Sequence, residues 1–287
     1  PTGTSNIPTE TGDSTTSSPP LGENNSNPTA GNETLLKFYE EKDINGTKST
    51  VFRIMQWADL HLGENAWEDW GPFNDERTFA ALDKYLRRSL VPINMVVLSG
   101  DQLTANNVDA NATVYYQRLG QFLNNQKMPF ATVFGNHDDA PLERDNAQGG
   151  IDKFPAKTSR RQLLEIMTAF PYAVSQQGPD SLPGLTNFWL DVLHEDEPML
   201  RLAFVDTGGG ALDMVLTDAH IEWFNETVAP VGSPPIAVFQ HIPTIEFQAT
   251  ENCLGLREDG VDAVSEDAGW IQFLQQIPQV GVVAVGH

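Results

Sequence analysis

The sequence predicts an α/β domain with largely parallel strands. Three observations carry this. Apolar runs of strand length alternate along the chain with segments of helical periodicity. The run before Asp101 is apolar throughout rather than alternating, as in strands covered on both faces. And the main runs stop at Asp, Asn or His, at the carboxyl ends of strands where open α/β sheets gather their ligands.

Taken in order, residues 1–34 are Ser, Thr, Pro, Gly and Asn with almost no large apolar side chain. Such a segment cannot bury enough surface to offset its ordering entropy, so it is expected to be a disordered tail before a domain over 35–287. VFRIMQW, beginning at Val51, is rich in β-branched and aromatic residues and reads as a strand ending in ADLHLG. FNDERTFAALDKYLRRSL places Phe79, Leu82, Leu86 and Leu90 on one helical face, with Asn74 or Asp75 as a cap. INMVVLSGD is the apolar strand that ends at Asp101. A helix is expected over about 112–126, then the strand FATVFGNHDD, then a helix near 158–169 stopped before Pro171.

The second half repeats the scheme less regularly. LTNFWLDVL and MLRLAFVD flank the polar turn HEDEP and read as a hairpin. TDAHIEWFNETV reads as a helix and IAVFQH as a strand ending in His241. SEDAGWIQFLQQI reads as a helix capped by Ser265. VGVVAVGH is the last strand, apolar enough to be expected inside a sheet.

Composition narrows the function. With 287 residues and 40% hydrophobic side chains the chain can build a real core. It has no eighteen-residue apolar run that would span a membrane. The single Cys253 excludes an internal disulfide and a Cys-based zinc site, and reads as a small half-buried residue. A net charge of −22 repels nucleic-acid backbones, so no nucleic-acid partner is expected. Sequons at Asn24, Asn32, Asn45, Asn111 and Asn225, with the Ser/Thr/Pro tail, point to a glycosylated protein that is secreted or in the secretory-pathway lumen, with the cytoplasm as the alternative.

Five strand ends carry Asp59 and His61, Asp101, Asn136 to Asp138, His241 and His287. Carboxylate and amide oxygens with imidazoles, and no thiolate, suit borderline divalent metals such as Mn, Fe or Zn. The donors exceed what one four-coordinate ion needs, so two ions sharing a carboxylate are expected, an arrangement that clamps a phosphoryl group.

ADLH, GDQLT, GNHDD, QH and GH, in that order, resemble the signature of the calcineurin-like metallophosphoesterases, from Val51 to His287. The contexts HIPTIEF and FVDTGGG are similar to a fungal, oomycete and plant branch related to purple acid phosphatases. The resemblance implies a four-layer sandwich of two mixed sheets flanked by helices. It implies that Asp59 and His61 bind a first divalent ion, that Asp101 bridges, and that Asn136, His241 and His287 bind a second. It implies that His137 serves as general acid or transition-state stabiliser, that Asp138 orients its ring, and that a hydroxide between the metals attacks phosphorus in line. The implied substrate is a phosphorylated small molecule or phosphoprotein, with a monoester expected from the purple-acid-like contexts; a diester, or a silent metal-binding module, is the alternative.

The sequence departs from that pattern twice. Where purple acid phosphatases carry an iron-binding Tyr and a Gly, it has Thr104 and His61, which implies divalent metals and no purple colour. The family's Gly-His-x-His motif stops at its first His, so the domain is expected to be incomplete at that end. His194 is expected in a solvated turn, His220 in packing or at the surface, Asp206 as a strand-end cap, and Glu246 as a ligand contact or a loop brace.

Overall fold

A computed structural model describes residues 35–287 except 43, 90, 109–111 and 249–259. The expected tail and Cys253 therefore lie outside the described residues. The first elements are β1 (Tyr39–Lys42), β2 (Lys48–Val51), β3 (Ile54–Trp57), α1 (Trp70–Arg88), β4 (Met95–Ser99), α2 (Ala105–Val108), α3 (Ala112–Asn125) and β5 (Phe130–Val133). Next come β6 (Leu142–Asp145), β7 (Ile151–Phe154), α4 (Arg160–Thr168), β8 (Phe188–His194), β9 (Glu197–Val205) and β10 (Val215–Leu216). The last are α5 (Asp218–Trp223), β11 (Ile236–Gln240), β12 (Glu266–Asp267), α6 (Trp270–Leu274) and β13 (Val280–Ala284).

Two principal sheets form. One is parallel throughout, in the order β3-β4-β5; the other is mixed, β13-β11-β9-β8, with β8 and β9 as the expected antiparallel hairpin. Side chains alternate across a strand, and β4 shows what that does. Met95 and Val97 face the second sheet, packing with Leu202, Phe204 and Phe239. Val96 and Leu98 face the other way, against Phe79 and Leu82 of α1, Leu119 and Leu123 of α3, and Leu163 and Met167 of α4. The far face of the second sheet, Val205 and Val238 among others, packs on Phe224, Trp270 and Leu274. The layers run helix, sheet, sheet, helix, which is the four-layer sandwich that the motifs implied, except that the β3-β4-β5 sheet is parallel rather than mixed.

Local signals misled in four places. α1 starts at Trp70, so Asp75 is no cap: it lies inside the helix, buried, and accepts from the Gly63 N–H. Pro72 sits in the first turn, where its missing N–H costs nothing. Ser265 is no cap either, because α6 begins after Gly269 and Asp267 Oδ1 receives the N–H groups of Gly269 and Trp270. The helix expected over 217–228 is α5 followed by one π turn, Phe224–Val228. And among the described residues β13 lies at the edge of its sheet, not inside it.

Candidate metal centre

The parallel strands β3, β4 and β5 all run out at one end of their sheet, as do β11 and β13 of theirs, and each delivers a short polar loop there. The backbone reverses within these loops at Asp59, His61 and Asp101, which have φ of 54°, 46° and 52°. Asp and His are among the few side chains that tolerate this left-handed region, which fits their use at the turn. Asp59 N–H donates to Gly100 O and His61 N–H to Asp101 O, both at 3.0 Å, so the first two loops are zipped together.

Two glycines make the close packing possible. A Cβ on Gly100, whose φ is +96°, would lie 2.3 Å from the His241 ring, and one on Gly135 would lie 2.2 Å from Asp101 Oδ1. Both loops therefore approach His241 and Asp101 more closely than any side chain allows.

Asp59, Asp101, His241 and His287 each offer a ligand atom, and these atoms lie within 4.8 Å of one another. Asp101 is 1% exposed and sits between the others. Its Oδ2 lies 3.2 Å from His241 Nε2 and 3.8 Å from His61 Nε2. His61 Nε2 is also 4.0 Å from Asp59 Oδ1. Asn136 Oδ1 lies 3.0 Å from His241 Nε2. His287 packs its ring edge-on to His241 at 5.1 Å and donates its backbone N–H to Asp59 Oδ2. His137 sits beside this group, its ring 4.9 Å from that of His61 and its N–H donating to Asp101 Oδ1 at 2.7 Å.

The hydrogen bonds behind the imidazoles fit a cation. His241 Nδ1 donates to Ser99 O at 2.8 Å, which leaves the Nε2 lone pair facing the Asp101 and Asn136 oxygens. Three acceptors converging on one point require a proton or a metal between them. His61 is set the same way: Nδ1 meets Thr104 Oγ1 at 3.0 Å, turning Nε2 toward the two carboxylates. The two departures from the purple-acid pattern, Thr104 and His61, are thus partners.

Burial works against the charge on Asp101, but the His241 ring and the His137 N–H outweigh it and hold its pKa below the usual carboxylate range. Burial alone would lower the His241 pKa, and the Asp101 carboxylate raises it instead. Burial lowers that of His137.

Asp138 does different work from that expected. Its carboxylate accepts from the N–H groups of Asp101, Gln102, Leu103 and Gly135 and from the Tyr116 hydroxyl. It braces two ligand loops against each other, and His137 Nδ1 instead meets Asn106 Oδ1 at 3.4 Å. Burial and the neighbouring Asp101 charge push the Asp138 carboxyl up, to about 7, against those donors.

Sequence reasoning missed Arg160. It is 4% exposed and opens α4, where Ser159 and Gln162 form a capping box. Its guanidinium reaches Asp206 Oδ1 at 2.6 Å, Asp139 Oδ1 at 3.0 Å, Gly135 O at 3.0 Å and Gly209 O at 2.9 Å. It ties the loop carrying Asn136 and His137 to the Gly-rich loop after β9. The Asp206 carboxylate also receives the N–H groups of Leu185, Thr186 and Gly208, so it organises that turn as a strand-end cap would. His220 is buried, and its Nδ1 accepts from the Thr217 N–H. Glu246 meets Gln272 across a loop, and His194 ends β8 at the hairpin turn. None of the last three joins the centre described above.

The family model described as calcineurin-like phosphoesterase matches residues 52–287. The chain is 25% identical over 275 residues to Phosphatase DCR2 of Saccharomyces cerevisiae, covering 84% of this chain and 44% of that protein. It is 26% identical over 225 residues to an uncharacterized Schizosaccharomyces pombe protein, covering 72% of this chain and 39% of that one. It is 23% identical over 193 residues to the Probable inactive purple acid phosphatase 29 of Arabidopsis thaliana, covering 56% and 46%. The chain spans less than half the length of each of these curated relatives.

Proposed function

Because the chain belongs to the calcineurin-like phosphoesterase family, we propose that it is a metal-dependent phosphoesterase that hydrolyses phosphomonoesters with two divalent cations held around Asp101. One observation carries the reading: a buried carboxylate with imidazoles on both sides of it, each turned by a hydrogen bond at Nδ1 so that Nε2 faces inward. Mn, Fe or Zn fits this donor set. Cations of this kind would neutralise phosphoryl charge and lower the pKa of water, supplying a nucleophile at neutral pH.

The chain's own groups divide the rest. Asp59 and His61 hold one side and Asn136, His241 and His287 the other, with Asp101 shared. The Asp138 brace and the Arg160 tie fix the loops, so ligand oxygens are set before substrate arrives and little reorganisation is needed. His137 stands next to the cluster without belonging to it. With Nδ1 directed at Asn106, its Nε2 is the atom that carries a proton to the leaving oxygen. The lowered pKa makes that imidazolium a stronger acid at the expense of its population at neutral pH.

The substrate is a phosphorylated small molecule or phosphoprotein. Among the described residues no helix is long and apolar enough to cross a membrane. The secretory pathway suits a chain with five sequons, and the two in described residues, Asn45 and Asn225, are exposed as glycan acceptors must be.

Hydrolysis of 4-nitrophenyl phosphate and of bis(4-nitrophenyl) phosphate with added Mn²⁺ tests the reading. Faster monoester turnover supports it, and faster diester turnover makes the protein a diesterase. Bound metal without turnover of either favours a catalytically silent module, the state that the Arabidopsis relative's name ascribes to that protein.

A further inference from the structure

We propose that the cleft beside the metal centre binds the alcohol portion of the phosphoester and selects an aromatic group that carries a second negative charge. The proposal rests on the phosphoesterase reading. The cleft has a volume of about 540 Å³, within the range of small-molecule sites. Asp59 and His61 form one end of it, so it opens directly from the cluster.

The other wall is one face of α1. Asp75, Phe79 and Leu82 recur at helical spacing and face the core, which turns Trp70, Asn74, Arg77 and Thr78 to the cleft. That stripe follows from the sequence period. What it offers is unusual for a polar helix face. Trp70 is 44% exposed, a broad flat surface available for stacking. Asn74 and Thr78 add hydrogen-bonding groups one turn apart.

Arg77 is the deciding side chain. Two other arginines have partners: Arg87 pairs with Asp83, and Arg118 with Glu76. Among the described residues Arg77 has no ion-pair partner and lies 5.7 Å from the exposed Phe73 ring. In a chain of net charge −22, an unpaired guanidinium in the wall of a cleft is a local reversal of the field. It suits a carboxylate or a second phosphate on the substrate. Besides Asp59, the cleft holds two more acids, Asp75 and Glu64. Asp75 is turned inward to the Gly63 N–H, and burial pushes its pKa up. Glu64 is exposed and disfavours an anion beside it.

Calorimetric titration of the Mn²⁺-loaded protein with three phosphonates tests this: methylphosphonate, benzylphosphonate and 4-carboxybenzylphosphonate. The parent protein should bind the carboxylated probe most tightly. Arg77→Gln should weaken that probe by roughly 5-fold and leave benzylphosphonate unchanged. Trp70→Ala should weaken both aryl probes by roughly 5-fold and leave methylphosphonate unchanged. Equal affinity of all three probes, or aryl binding indifferent to both variants, overturns the proposal. So does failure of every probe to bind. Turnover of 4-nitrophenyl phosphate, measured alongside, separates the two claims. Turnover with indifferent probe binding sinks the cleft alone, and discrimination among probes without turnover keeps the cleft as a binding site and sinks the phosphomonoesterase reading.

Discussion

Arg160→Met removes the guanidinium that joins two buried carboxylates and leaves a side chain of similar length. Asp206 retains three backbone N–H donors and the Thr186 hydroxyl, so it is partly compensated. Asp139, 3% exposed, loses the charge that balances it. Breaking a buried ion pair by removing one partner costs about 3–5 kcal/mol, and the donors left on Asp206 place this case near 3 kcal/mol. With a urea dependence of about 2–3 kcal/mol/M, the unfolding midpoint should fall by about 1–1.5 M. Arg160 itself stays charged wherever the fold exists, because Asp206 and Asp139 raise its pKa despite burial. Urea denaturation followed by circular dichroism at pH 7 decides it. A loss below about 1 kcal/mol refutes the reasoning.

Asp101→Ala should lose metal binding and activity together, whereas His241→Ala should keep part of the binding; metal analysis of both proteins reads the difference. His137→Ala should keep its metals and lose kcat by about 10²–10⁴-fold, with the loss shrinking for substrates whose leaving groups need no proton. A plot of log kcat against leaving-group pKa shows this as a steeper slope in the variant. Gly135→Ala places a methyl group 2.2 Å from Asp101 Oδ1 and should cut Mn²⁺ affinity by at least 10-fold, measured by titration calorimetry.

The parts of the fold written in the sequence are those governed by local pattern. The apolar run of β4 declares a strand covered on both faces, and the polar residues that close β3, β4, β5, β11 and β13 mark one end of the sheets. What was not legible depends on partners far along the chain. Asp75 looks like a cap until Gly63 is seen to occupy it. Arg160 and Arg161 are neighbours of the same type, yet one is buried among Asp139, Asp206 and two carbonyls while the other is exposed against Gln177. Only the tertiary fold distinguishes them. Asp138 follows His137 directly and was expected to serve it, but the strand-end turn aims its carboxylate at backbone N–H groups instead. Composition likewise could not place β13 at a sheet edge, because an apolar strand reads alike in either position.

The central claim is that cations held around Asp101 make this chain a phosphomonoesterase. Bound Mn²⁺ per chain, measured together with 4-nitrophenyl phosphate hydrolysis across a metal titration, tests it most directly. The account predicts no turnover in the chelator-treated protein and turnover that rises as the second ion binds. Turnover unchanged by chelation, or two ions bound with no hydrolysis of any phosphoester, contradicts it.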